Sequence, residues 1–457
     1  MLFNSFEFLG IFLPATLIAV ALSARLGSRL ISLSVVCIAS AIFYAMYSLW
    51  HLLLLCGMIA FNWSAAGAIT RSSRHALALG VFINLCVLLL FKYTAFAMRQ
   101  VFGSDVDVPS WALTFPLAIS FYTFHQISFL VDVSRKRATR PDLLTYATYV
   151  LLFPQLIAGP IVRYSEVAFQ LGRKIPVLVR SRPFRIGVIL LVLGLAKKIL
   201  IADELAPGVD AAFANSSRLS TVQAWQAALG FGFQIYFDFS GYTDMAIGMA
   251  LMIGLRFPRN FDSPYRAVDI SDFWRRWHIT LSRFLRDYLY KPLGGNRRGL
   301  ARTLVNLMTV MLLGGLWHGA NWTFVIWGGL HGLYLVIHRL WSQVSPVRLP
   351  MVLSSAVTFV AVTIAWVFFR APNLVVAGEV LRRMFWLFPE SQMIDAAVVT
   401  LWIAAAIVWL APQSRAVALR YHRSNWLAVL LGTLASAATL KMLSNAGHQD
   451  AFIYFAF

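Results

Sequence analysis

About a dozen stretches of roughly 20 apolar residues constrain this chain more than any motif does, because a helix needs that length to cross a bilayer. They lie at 6–24, 30–48, 50–69, 76–98, 111–133, 184–203 and 222–254, then at 303–317, 320–340, 350–369, 396–412 and 426–444. Of 457 residues, 59% are hydrophobic and 13% charged, which removes the chain from the soluble globular class. The start of the first run carries Glu7 and no Lys or Arg precedes it, so 6–24 reads as a retained helix rather than a signal peptide.

The formal charge of +20 invites a nucleic-acid reading. The basic residues, however, fall in clusters at 135–140, 163–185 and 256–302, between apolar runs. Topology and anionic lipid headgroups account for them better, and they mark the cytoplasmic side; nucleic acid is not an expected partner. Cys37, Cys56 and Cys86 show no metal spacing and read as small packed hydrophobes.

Two segments do not fit a plain span. TYATYVLLFPQLIAGPIVRY (145–164) is apolar but broken by Pro154, Gly159 and Pro160. Such backbone survives at membrane depth only when buried in protein or lining a cavity, so the segment reads as re-entrant. The second, 256–302, holds eleven Lys or Arg. In it Phe273, Trp277, Leu281, Phe284, Leu285 and Tyr288 recur at helical spacing, with Arg275, Arg276, Arg283 and Arg286 between them. That pattern predicts one basic amphipathic helix at an interface, with Asp269 and Asp272 suiting its start.

Ionisable groups in apolar context gather between 236 and 331. Asp238 and Tyr242 share a helix face, and an intramembrane Asp either pairs with a neighbour or lines a cavity. His278 sits on the basic segment. His318 lies among Gly314, Gly315 and Gly319, where a ligand or another helix can approach closely. His331 and His338 are seven apart on one helical face and read as packing or interfacial groups, with His331 the candidate for a supporting role. No HExxH, i,i+4 His pair or zinc-type Cys/His spacing occurs, so no metal is expected. A nucleophile elbow and a phosphate loop are absent too. A buried imidazole without a protein nucleophile suits general-base catalysis on a bound hydroxyl.

FPQLIAGPIVRY (153–164), FQIYFDFSGYTDMAIG (233–248), the block 260–299 around RRWHITLSRFLRDYLYKPLGG, and LLGGLWHGANWTFVIWGGLHG together resemble the membrane-bound O-acyltransferase superfamily, in its bacterial alginate O-acetylase branch. The N-terminal FNSFEFLGIFLP and C-terminal FIYFAF extend the likeness, although Ala451 and Ala456 depart from the usual terminal signature. The resemblance implies an all-α polytopic membrane protein of one domain over 1–457, with the catalytic motifs at about 230–340. It implies about 11 transmembrane helices plus re-entrant or interfacial helices around a central funnel or tunnel.

By motif, the two superfamily histidines are His278 and His318, the latter at the catalytic position. The implied activity moves an acetyl group from a cytoplasmic thioester, acetyl-CoA as co-substrate, across the bacterial inner membrane. No permanently bound cofactor is implied. The acetyl then reaches an exported polysaccharide through a periplasmic acetyltransferase and the polymer's export machinery. A sister branch transfers D-alanine from a carrier-protein thioester to teichoic acid. On this reading His318 is the base and His278 orients the thioester or polarises its carbonyl. Trp317, Asn321 and Trp322 shape the tunnel, with Asp238, Tyr242 and His331 in support. Arg275, Arg276, Arg283 and Arg286 are the candidates for the donor's phosphates. A proton-coupled transporter is the rival of another class, since buried Asp and His also build proton relays.

Overall fold

The computed structural model describes residues 1–70, 74–103, 106–109, 111, 116–174, 181–344, 349–389, 396–444 and 452–453. Ala451, Ala456, His448 and part of the 111–133 run lie outside them. Four helices lead: α1 (Leu13–Arg25), α2 (Arg29–Ala45), α3 (Leu49–Thr70) and α4 (Arg74–Phe102). Next come α5 (Ile119–Ser134), the short α6 (Leu143–Leu151), α7 (Phe153–Leu156) and α8 (Tyr164–Leu171). The centre holds α9 (Arg182–Lys197), α10 (Asp203–Ala214) and the 32-residue α11 (Thr221–Met252). Two short helices, α12 (Ile270–Arg276) and α13 (Ile279–Leu285), precede the hairpin of α14 (Gly299–His318) and α15 (Trp322–Val344). The chain closes with α16 (Met351–Arg370), α17 (Leu374–Phe385), α18 (Ala396–Leu410), α19 (Ser414–Tyr421) and α20 (Asn425–Ser444).

Among the described residues, six helices are long and apolar enough to cross a membrane, or seven if the α18–α19 pair, bent by 61°, is one span. Other apolar runs became something else. α2 has only 17 residues, and α9 carries Arg182, Arg185 and Lys197. α11 is apolar nearly all round and buried on most of its length, the mark of a helix inside the protein. Cys56 and Cys86, expected inside, are free thiols on the outer surface.

Glycines set how closely the central helices approach. Gly187 and Gly194 of α9 face Gly248 and Gly241 of α11. A Cβ on Gly194 would fall 2.5 Å from the Gly241 carbonyl oxygen, and one on Gly187 2.6 Å from that of Gly248. Within lipid, where helices gain nothing by hiding apolar surface from each other, such backbone contact is a main source of packing energy. Gly315 and Gly328 bring α14 against α15 in the same way.

The segment 145–164 is irregular and enclosed by protein, with every residue from Thr148 to Val162 buried. Its irregular backbone is satisfied by side chains. Ser40 Oγ accepts from Phe153 N (3.2 Å), Thr280 Oγ1 from Ile161 N (2.9 Å), and Tyr149 OH donates to Val162 O (2.9 Å).

The single amphipathic helix expected within 271–295 from the spacing of Phe273 to Tyr288 is instead broken, with α12 and α13 meeting in a corner at His278, whose φ is +40°. A left-handed non-glycine residue costs about 1–3 kcal/mol, and the segment before it supplies the compensation. Asp262 N donates to Arg276 O and Ile279 N donates to Asn260 O, both at 2.9 Å, so the interrupted helix ends are paired. Asp269 caps α12, accepting from Asp272 N at 2.7 Å.

Candidate active site

The corner at His278 aims its ring into the core. The ring is fully buried, edge-on to Phe239 with centroids 4.7 Å apart. Nδ1 lies 3.1 Å from Asn260 Oδ1, which also accepts from Thr280 N (3.2 Å) and Thr280 Oγ1 (2.9 Å). Those two bonds fix the amide's orientation, so Nδ1 carries the proton and the imidazole's lone pair is on Nε2. Complete burial drives this imidazole's pKa down to about 3, which keeps it neutral.

His318 is the last residue of α14 and only 3% exposed. Its ring is boxed by Trp317, Trp327 and Phe369, with centroids 4.9, 5.1 and 5.1 Å away. Trp317 also borders His278, at 6.4 Å, so one indole touches both imidazoles. His278, Lys92 and His331 are within electrostatic reach of His318. The two halves of the motif region, 40 residues apart in the chain, thus meet at Trp317.

His331 extends this cluster toward the other end of α15. Phe273, Trp274, Trp327 and Tyr334 surround it, with centroids between 4.8 and 5.9 Å. Its two nitrogens, and the indole N–H groups of Trp274 and Trp327, have no hydrogen-bond partner among the described residues. Unpaired polar groups are costly inside a protein, so a water, an ion or a ligand's polar atoms would be stabilised here.

Beyond Trp274 opens a cavity of about 530 Å³, within the range of small-molecule sites. Arg275, Arg286, His338 and Arg339 line it together with the buried Val310 and Met311. Met311 stands seven residues before His318, about 10 Å along α14. Neither this cavity nor a smaller one beside Lys197 and Asn260 is lined by His318.

The four arginines proposed for the donor divide in two. Arg275 and Arg286 line the cavity and are more than half exposed, Arg275 lying 3.4 Å from Asp272 and Arg286 3.1 Å from Asp287. Arg276 is engaged by Asp272 at 2.8 Å and by the Asp262 carbonyl, and Arg283 is engaged by Glu166. Asp287 anchors this basic surface. Burial raises its carboxyl, but hydrogen bonds from Arg286, Lys291 and Arg163 outweigh burial and hold it well below the usual carboxylate range.

The remaining candidates sit elsewhere. Asp238 pairs with Lys198 at 2.9 Å and accepts from Ile453 N at 3.0 Å. Tyr242 stacks on Phe3 and meets Phe452 edge-on. This face of α11 therefore ties the two chain ends into the bundle, while Phe239 faces His278. Asn321 caps α15 by accepting from Thr323 N (3.1 Å) and donates to Pro372 O (2.8 Å). Trp322 is half-exposed and donates to Gln100 at 3.2 Å, on the rim.

Lys92, Asn260, Trp327 and Arg339 escaped the sequence reading. Lys92 had a signal, a lone cation inside a long apolar run. Asn260 and Trp327 have none outside tertiary contact.

These features define the class: a multi-pass helical membrane protein with two imidazoles buried in its core about one indole and a basic cavity lined by the same helices. The chain belongs to the MBOAT, membrane-bound O-acyltransferase, family, whose model matches residues 36–377. It is 43% identical to the probable alginate O-acetylase AlgI of Pseudomonas aeruginosa, over 84% of this chain and 75% of the relative. It is 41% identical to the peptidoglycan O-acetyltransferase of Helicobacter pylori, over 84% and 80%. A teichoic acid D-alanyltransferase of Streptococcus thermophilus is 26% identical over 50% and 57%. The protein is an O-acyltransferase.

Proposed function

We propose that this enzyme O-acetylates a polysaccharide outside the bacterial inner membrane, of the alginate or peptidoglycan type. Acetyl-CoA or a similar acetyl thioester on the cytoplasmic side is the donor. A periplasmic acetyltransferase and the polymer's export machinery receive the acetyl group or act beside the enzyme. The observation that carries this reading is the arrangement along α15: a basic cavity, then the His331 cage, then His318. Arg275, Arg286 and Arg339 suit the donor's phosphates, as planar cations that bond phosphate oxygens in pairs. The unpaired N–H groups and nitrogens around His331 suit the amides of a pantetheine-like arm. Turning of Trp274 and Trp327 would admit that arm to His318.

A thioester is already activated, so positioning and a base are what the reaction needs. The acceptor hydroxyl attacks the acetyl carbonyl and His318 takes its proton. The C–O bond forms, the C–S bond breaks, and the proton passes to the departing thiolate. His278, whose Nε2 is an acceptor in the tautomer fixed by Asn260, suits holding a donor N–H or the hydroxyl, rather than polarising the carbonyl. General-base help of this kind is worth about a hundredfold to ten-thousandfold.

The test replaces His318 with Gln in the native host. Alkali-released acetate is measured separately in exopolysaccharide and peptidoglycan, alongside protein level in the membrane. Loss of acetate from one polymer at normal protein level supports the reading and identifies the acceptor class; full acetylation in both rejects it.

A further inference from the structure

Lys92 is a buried lysine with an unusual set of partners. It lies inside the α4 span and is 6% exposed, and no carboxylate among the described residues pairs with it. Its ammonium donates to the Trp317 carbonyl, to the His318 carbonyl at 3.2 Å, and to Ser120 Oγ of α5 at 3.3 Å. Next to it, Tyr93 OH donates to the Leu316 carbonyl. Three consecutive carbonyls at the end of α14 are therefore held by α4.

The placement answers a physical problem. The last carbonyls of a helix have no intrahelical partner, and in a membrane interior no bulk water replaces one. α14 ends at Gly319 in extended backbone, and no cap bond from the following residue satisfies those oxygens. The negative end of the helix dipole favours a cation there. A surface helix solves this with a glycine turn, whereas here a charge is buried from the other side of the bundle. The residue so held is His318: two N–H donors of Lys92 go to the carbonyls of Trp317 and His318, and the third, to Ser120, anchors the ammonium to α5.

We propose that Lys92 is a positioning residue for His318: by fixing the carbonyls of Trp317 and His318, it sets the direction of the imidazole and of the indole that touches both histidines. Lys92 does not contact the reacting atoms. This inference rests on His318 acting as the base.

The experiment measures coenzyme A release from acetyl-CoA in membranes with the native acceptor system, per folded molecule, for Lys92→Met, Lys92→Arg, His318→Gln and the Lys92→Met/His318→Gln double variant. Folding is followed by thermal melting in detergent. Lys92→Met is expected to lower kcat per folded molecule at least tenfold, with KM for acetyl-CoA within twofold, and to lower the melting temperature because the Trp317 and His318 carbonyls lose their partner. Lys92→Arg, which keeps the charge and donors, should retain kcat within about fivefold, since Arg is larger and more rigid. The double variant should be no slower than His318→Gln alone, because residues acting as one unit are not additive.

If Lys92→Met does not accumulate, Lys92→Gln, which keeps two donors and loses the charge, is read against the same criteria with an intermediate loss expected. A wild-type kcat in Lys92→Met while His318→Gln is inactive overturns this inference and leaves the base assignment standing. So does a double variant slower than His318→Gln. A wild-type rate in His318→Gln overturns both.

Discussion

Among the described residues two lysines are buried, and their surroundings differ in kind. Lys198 sits between Asp203 and Asp238, at 2.7 and 2.9 Å, and lies over Phe452. Lys92 meets two backbone carbonyls and a hydroxyl. The first arrangement closes on itself and ties α9, α10, α11 and the chain end together. The second ends on the residue that carries a candidate base. Buried charge by itself thus says little about function; what distinguishes the two is whether the charge is spent on a counter-ion or on orienting a reactive group.

The largest effect expected from this contrast is catalytic. His318→Gln should slow acetyl transfer by about a hundredfold to ten-thousandfold with membrane levels unchanged, measured as coenzyme A release per unit of folded protein. Asp238→Asn should do the reverse. It leaves Lys198 with one carboxylate in a site where its side chain is 2% exposed. Removing one partner of a buried pair costs about 3–5 kcal/mol, so yield and melting temperature should fall while the rate per folded molecule is kept. If Asp238→Asn folds normally and is inactive, the division between the two regions fails.

Smaller effects sharpen the division at the basic surface. Arg275→Ala and Arg286→Ala should each raise KM for the thioester by roughly fivefold to tenfold, the scale of one hydrogen bond worth about 1 kcal/mol net, with kcat unchanged. Arg283→Ala should instead lower the melting temperature through loss of its Glu166 partner. Glu379 on the outer surface provides the calibration for a solvated pair. Hydrogen bonds from Arg382 and Arg383 pull its pKa down to about 2. A depressed carboxyl contributes stability above its ordinary pKa and loses it as pH falls through the depressed one. Glu379→Gln should therefore shift the melting temperature by only a degree or two, equally at pH 5 and pH 8.

The sequence carried much of the architecture. Apolar runs located the helices, and Pro154, Gly159 and Pro160 marked a broken, buried segment. Composition does not tell a helix inside protein from one in lipid, which is why α11 reads as an ordinary span and six or seven long apolar helices are seen. The pattern around 270–288 identified the buried face through Phe273, Trp277 and Phe284. The corner at His278 was hidden, because its compensation comes from Asn260 through backbone pairing rather than from a turn residue. Likewise, which arginines face the cavity depended on Asp272 and Glu166. The Lys92 clamp joins residues about 225 apart in the chain, a distance no local pattern spans.

The most direct measurement is a structure of the enzyme with a stable acetyl-CoA analogue, in which a methylene replaces the thioester sulfur. The account predicts phosphates at Arg275, Arg286 and Arg339, an arm threading past Trp274 and His331, and the acetyl carbonyl beside His318. An acetyl group bound on the Lys198–Asp238 side, or one stopping at Met311 with the Trp274–Trp327 wall closed, would contradict it.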